Sequence, residues 1–206
     1  VKRSSLVNVR VRTPARQDTR VLNDDCLRTA ESLASAGYVH IAVLVMANRS
    51  TPGGGVKRGA GAQEEDVFRR TDVLRHTHQY QNGLTNDPLN ADEPTAMIIK
   101  DVTILCGACD MGYPFLEIRP KITVISMAAQ KEPALIRDET EDLVYGLEND
   151  RNEMRTRIKV MLRSVINSGC DAMVLSAFGC GAFKHSPAEV AKLFRQEIES
   201  AGADLS

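Results

Sequence analysis

Tryptophan is absent from the 206 residues, and tyrosine and phenylalanine number only four and five. So sparse an aromatic set disfavours a base-stacking platform for single-stranded nucleic acid. A charge excess of either sign is also missing. With 26 basic and 27 acidic residues there is no global basic field, and direct DNA binding is not expected. No apolar run approaches the roughly 18 residues of a membrane span, so no membrane partner is expected. The basic N-terminal stretch VKRSSLVNVRVRTPARQDTR lacks the apolar centre of a secretory signal. Its alternation of Val7, Val9 and Val11 with polar residues predicts a strand. Five cysteines, an odd number, point to reduced thiols and a cytoplasmic or nuclear setting. Internal repeats and low-complexity tracts are missing too, and the length fits a single domain over residues 1–206.

What is present is an alternation of apolar runs and amphipathic stretches. Leu27, Ala30, Leu33 and Ala34 recur at helical spacing after a candidate N-cap at Asp24 or Asp25, and Gly37 is placed to end that helix. Val39 to Val45 is almost wholly apolar and β-branched, the pattern of a strand covered on both faces. AQEEDVFRRTDVLRHTHQY reads as a helix with Val67, Leu74 and Phe68 inward, and Gln81 to Pro94 as a polar loop. AMIIKDVTIL and KITVISMA predict two further strands. A charged stretch from about Asp138 to Asn167 reads as one helix, with RDETEDLVYGLENDRNEMRTR as its solvated face. DAMVLSAF predicts a last buried strand, and Ser186 or Pro187 opens a closing amphipathic helix. Strands alternating with helices imply an α/β fold, a mixed sheet sandwiched between helices. Ligands of such sheets bind beyond the carboxyl ends of the strands.

Two glycine-rich segments fall at such ends, Gly53 to Gly61 and Gly179 to Gly181. In FGCGAF, two glycines after a buried strand let backbone N–H groups converge on phosphate oxygens, although a tight turn needs the same residues. In TPGGGVKRGAGAQEED, a triple glycine precedes a helix that opens on Gln63, Glu64 and Glu65, and Asn48 stands just before it. Paired acids at a helix start usually compensate the dipole, but they are also what proton transfer requires.

The array AN-RSTP-GGG-VKRGAGA-QEE resembles the signature of poly(ADP-ribose) glycohydrolases (PARGs) of the bacterial type, a branch of the macrodomain superfamily. GCGAF is similar to that family's diphosphate loop. KITVISMAAQ and RIKVMLRSVINSGCDAMVLSAFGCGAF extend the likeness, which runs from about Asp25 to Phe194. The resemblance implies a macrodomain-like three-layer α/β/α fold and an enzyme that hydrolyses the ribose–ribose O-glycosidic bonds of poly(ADP-ribose), releasing ADP-ribose. It implies that Glu65 is the catalytic acid and that Glu64 holds ribose hydroxyls. Asn48 would contact the terminal ribose, Gly53, Gly54 and Gly55 would lie close to that ribose and the diphosphate, and Gln63 would be among the ligand-binding residues. Gly179, Cys180, Gly181 and Ala182 would bind the diphosphate, with Phe183 packed beside the ligand. Asp24 or Asp25 is the position the fold offers to adenine. Lys184 and His185 depart from the family's small residues after the aromatic, and Gln130 stands where members often carry proline.

The chemistry agrees with that assignment. Cleavage passes through an oxocarbenium-like state, and the leaving hydroxyl must be protonated. One carboxylic acid donates that proton and then, as carboxylate, takes one from the attacking water. Adjacent helical residues diverge by about 100°, so one acid handles protons while the other positions. No metal or cofactor is required. Cys106-Gly107-Ala108-Cys109 has metal or redox spacing but lacks a second ligand pair, since His76 and His78 point apart on a helix. Arg69 and Arg70 read as surface charge. The expected partner is poly(ADP-ribose) or an ADP-ribosylated protein, with ADP-ribose as the bound product. Two alternatives stand beside polymer hydrolysis: removal of single ADP-ribosyl groups from an arginine or acidic side chain, and a non-catalytic reader of ADP-ribose.

Overall fold

The computed structural model describes residues 18–76 and 94–204. The strand expected at Val7–Val11 and most of the Gln81–Pro94 loop lie outside the described residues.

The sheet is built on β1 (Ile41–Met46), whose continuous apolar run serves two faces at once. Ile41, Val43 and Val45 face α1 (Cys26–Ser35) and α2 (Gln63–Arg70), packing on Leu27, Ala30 and Val67. Ala42 and Leu44 face the opposite layer with Ile125 and Met127. That layer is α3 (Glu148–Asn167) and α4 (Pro187–Asp204), through Met154, Ile158, Met161 and Leu193. The layers are therefore helix, sheet, helix, as expected, and burial on both faces explains why β1 does not alternate. β3 (Lys121–Met127) and β6 (Ala172–Val174) pair parallel to β1, and β2 (Met97–Thr103) pairs antiparallel to β3. The order β2-β3-β1-β6 makes the sheet mixed.

The helix ends follow the sequence signals. Asp25 caps α1 by accepting from Arg28 N at 2.8 Å, and Gly37 follows the last residues with φ +94°. Pro187 opens α4, where Ser186 Oγ accepts from Glu189 N. Two helices are shorter than their sequence pattern. α2 stops at Arg70 because Thr71 turns extended, bridges Ile104, and returns its hydroxyl to Val67 O. Val73, not Leu74, is the buried side chain beyond the break. The helix expected from Asp138 begins only at Glu148. In its place stands a hairpin of β4 (Leu135–Arg137) and β5 (Leu143–Tyr145). Asp138 Oδ1 accepts from the amides of Thr140 and Asp142, a local bond that competes with helix formation.

Arg70 corrects the reading of Arg69-Arg70 as surface charge. Its side chain is fully buried. Nη1 meets Asp25 at 2.8 Å and Asp66 at 2.9 Å, and Nε donates to Cys106 O at 3.2 Å. Its own carbonyl accepts from Leu105 N, so one residue ties α1, α2 and the chain after β2. A lysine keeps the charge but loses the planar fork. Arg70→Lys is expected to lower the unfolding free energy by on the order of 2 kcal/mol, measured by urea denaturation. All five cysteines are free thiols. Among the described residues no cluster of three or more His, Cys, Asp or Glu could hold a metal ion, and no helix is long and apolar enough to cross a membrane.

Candidate active site

The site begins where β6 ends. Its three residues pair with β1 only as far as Val43. Beyond that point the backbone of β1 needs another partner, and Gln63 supplies it. Its Oε1 accepts from Met46 N at 2.9 Å and its Nε2 donates to Leu44 O at 2.7 Å, so the amide stands in for a strand neighbour. Both ends of Gln63, expected among the ligand-binding residues, are engaged by β1. The effect is to pin the first turn of α2 against the carboxyl end of the central strand.

Asn48 starts the loop that follows. Its Oδ1 accepts from the amides of Ser50 and Thr51, both at 3.0 Å, turning the chain into Thr51–Gly55. The glycines then fold back onto α2. Glu64 accepts from Gly53 N at 2.9 Å through Oε1 and from Asn48 N at 2.7 Å through Oε2. Glu65 accepts from Gly55 N at 2.8 Å through Oε1. Its Oε2 is buried and has no hydrogen-bond partner among the described residues. Gly54 sits between the two acids with φ +52°. A Cβ there would collide with Glu65 Oε1 and lie 3.1 Å from Glu64 Oε2, so glycine is required by both conformation and space. Both carboxylates thus reach one loop, despite their separation around the helix, and they do different things there.

Glu64 and Glu65 are only 4% and 7% exposed, so neither is a solvated, dipole-compensating residue. Burial pushes the Glu64 carboxyl up to about 7, against the pull of its two backbone donors, and Glu65 beside it adds in the same direction. The folded state therefore holds a proton that an unfolded glutamate, with a value near 4.5, releases. Stability from this group is fully present below the unfolded value and declines as pH rises through about 7. Between pH 6 and pH 8.5 the loss is about 1 kcal/mol. Glu64→Gln should remove that part of the slope in urea unfolding at the two pH values. His185, whose pKa burial lowers, contributes in the opposite sense and is common to both proteins.

The second loop leaves β6, the parallel neighbour of β1, so both glycine segments emerge at the same end of the sheet. Gly179 has φ +75°, and a Cβ on it would meet Ala129 Cβ at 3.0 Å and the His185 ring closer still. The amides of Gly181, Ala182 and Phe183 donate to nothing among the described residues. Cys180 is half-buried, and burial raises its thiol pKa, which disfavours a thiolate. Phe183 packs partly into the core beneath the loop. Lys184 pairs with Glu132 at 3.3 Å on the surface. Asp25 is committed to its helix and to Arg70, whereas Asp24 binds, among the described residues, only Asp25 N and Arg28.

Sequence reasoning missed the supports of this loop. His185 is buried between Tyr145 and the carbonyl of Gln130, and Asp150 takes Ala134 N and Gln130 Nε2. The signal available was the departure of Gln130 and His185 from the pattern the chain resembles.

Residues 3–98 match the family described as microbial-type PARG, catalytic domain. Among solved structures, the poly(ADP-ribose) glycohydrolase of Thermomonospora curvata bound to the inhibitor ADP-HPD is 26% identical with a TM-score of 0.65. That match covers 84% of this chain and 63% of the other, so the chain spans under two thirds of its relative's length. The Deinococcus radiodurans enzyme in complex with ADP-ribose is 23% identical with a TM-score of 0.72, covering 89% of this chain and 71% of the other, a likeness of fold. No curated protein matches the chain in sequence.

Proposed function

From a chain that matches the microbial-type PARG family in sequence and bacterial PARGs in fold, we propose hydrolysis of the ribose–ribose bonds of poly(ADP-ribose), with release of ADP-ribose. The observation that carries this reading is the asymmetry of Glu65: one oxygen fixed on Gly55 N, the other buried with no partner among the described residues. A carboxyl held in that way has its direction set by the loop and one oxygen left for a substrate proton. Glu65 donates that proton to the leaving hydroxyl. As carboxylate it then takes one from the water that attacks the anomeric carbon.

Glu64 is the positioning acid. Both its oxygens hold loop amides, which fixes the direction of the carboxyl, and its remaining edge can meet a ribose hydroxyl as donor or acceptor. By carrying a proton near pH 7 it also spares Glu65 a full negative neighbour. Gly53, Gly54 and Gly55 bring backbone against the terminal ribose, with Asn48 and Gln63 fixing that loop and helix to β1. The amides of Gly181, Ala182 and Phe183 bind the diphosphate, Cys180 N being committed to Ala177 O at 3.0 Å, and so clamp the ligand with its scissile bond at Glu65. Asp24, the less committed of the two aspartates, is offered to adenine.

The test is an assay of free ADP-ribose released from automodified polymer, with mono-ADP-ribosylated protein run in parallel. Release from polymer is expected. Turnover confined to the mono-modified substrate would transfer the site to that specificity, and binding without turnover of either would make the protein a reader.

A further inference from the structure

The stretches that set this chain apart from the pattern it resembles, Ala128-Ala129-Gln130 and Lys184-His185, meet beneath the second glycine loop. His185 Nε2 lies 2.8 Å from Gln130 O, and Nδ1 lies 2.8 Å from the hydroxyl of Tyr145 on β5. A carbonyl can only accept, so Nε2 carries the hydrogen and Nδ1 accepts from Tyr145. Both ring nitrogens are thereby used, in the neutral form, by a side chain only 2% exposed. Burial favours that form, lowering the pKa of His185 and raising that of Tyr145.

The ring's position bears on the loop directly. Its Cδ2 occupies the space in which a Cβ on Gly179 would stand, and its own amide donates to Gly179 O at 3.1 Å. At the other end of the loop, Phe183 O accepts from Glu132 N at 3.0 Å, two residues beyond Gln130. Lys184 between them is held at φ +62°, a conformation a lysine does not choose unaided. The directions of the amides from Gly179 to Phe183 are thus set by what lies under them.

We propose that His185, locked between Gln130 and Tyr145, is a positioning residue for the diphosphate loop, setting how well its amides converge on a nucleoside-diphosphate sugar. It governs affinity and not bond cleavage, because Glu65 is held by Gly55 on the other loop. The inference rests on the functional reading above.

The test is calorimetric titration of ADP-ribose, with turnover kinetics alongside. His185→Ala is expected to weaken binding about tenfold and raise KM in step, with kcat within about threefold of wild type. His185→Gln, which can donate to Gln130 and accept from Tyr145, should bind as wild type does, whereas His185→Leu should bind about tenfold more weakly. Tyr145→Phe removes a single hydroxyl and should weaken binding about threefold, a readout that survives if His185→Ala fails to fold. Folded variants that lose thermal stability but bind as wild type does would overturn the proposal, as would a loss confined to kcat. A wild-type protein that binds no ADP-ribose would overturn the functional reading itself, and this inference with it.

Discussion

Glu65→Gln is expected to lower turnover of poly(ADP-ribose) by about 10³-fold while leaving affinity for ADP-ribose within a few fold. The amide oxygen can still accept from Gly55 N, so the loop keeps its anchor. What is lost is the carboxyl oxygen Oε2 as a proton-transfer group, the buried atom with no partner among the described residues. A 10³-fold loss corresponds to about 4 kcal/mol of transition-state stabilisation, within the range for removing a general acid that also serves as base. Thermal stability should change little, because the substitution preserves volume and the one hydrogen bond formed. Release of labelled ADP-ribose gives the rate, and calorimetry on the same preparation gives the affinity. If turnover is retained while affinity is lost, Glu65 belongs to binding and another group to chemistry.

Gly54→Ala is the complementary change, since it leaves every acidic residue in place. Its φ of +52° makes any L side chain cost about 1 kcal/mol or more. The new methyl would collide with Glu65 Oε1 and press on Glu64 Oε2. The atoms it meets end flexible side chains, so the protein accommodates the methyl by moving the carboxylates. Moving them breaks the Gly55 bond that aims Glu65. Activity should fall at least about 100-fold, since displacements on the order of 1 Å carry losses of that size, whereas stability should fall by only about 1–2 kcal/mol. The comparison of kcat with urea midpoint separates the two effects. Equal proportional losses in both would mean that the glycine serves the fold alone.

The parts of this arrangement that were legible in the sequence are those written in local pattern. β1 announces itself because a strand buried on both faces is continuously apolar, and β3 by a short run rich in β-branched residues. Asp25, Gly37 and Pro187 mark helix ends through the chemistry of single residues. The placement of both glycine segments at one end of the sheet followed from α/β alternation alone. What was not legible depends on contacts distant in sequence. Nothing near Arg70 distinguishes a buried hub from a surface charge, because its partners Asp25 and Cys106 lie 45 and 36 residues away. The hairpin of β4 and β5 was hidden in a charged run whose composition suits a helix, until Asp138 takes the amides a helix would need. Gln63 looked like a ligand contact because its neighbours in QEE are acids at the site. Its amide instead completes the ladder of β1 where β6 stops short. His185 was visible only as a departure from a pattern.

The central claim is that loops from two adjacent parallel strands close on one nucleotide sugar with Glu65 at its anomeric carbon. The most direct measurement is a crystal structure with ADP-ribose bound. The account predicts the diphosphate on the amides of Gly181 to Phe183 and Glu65 Oε2 within hydrogen-bond reach of the terminal ribose, or one water from it. A diphosphate bound elsewhere, or a terminal ribose several ångströms beyond any contact with Glu65, would contradict it.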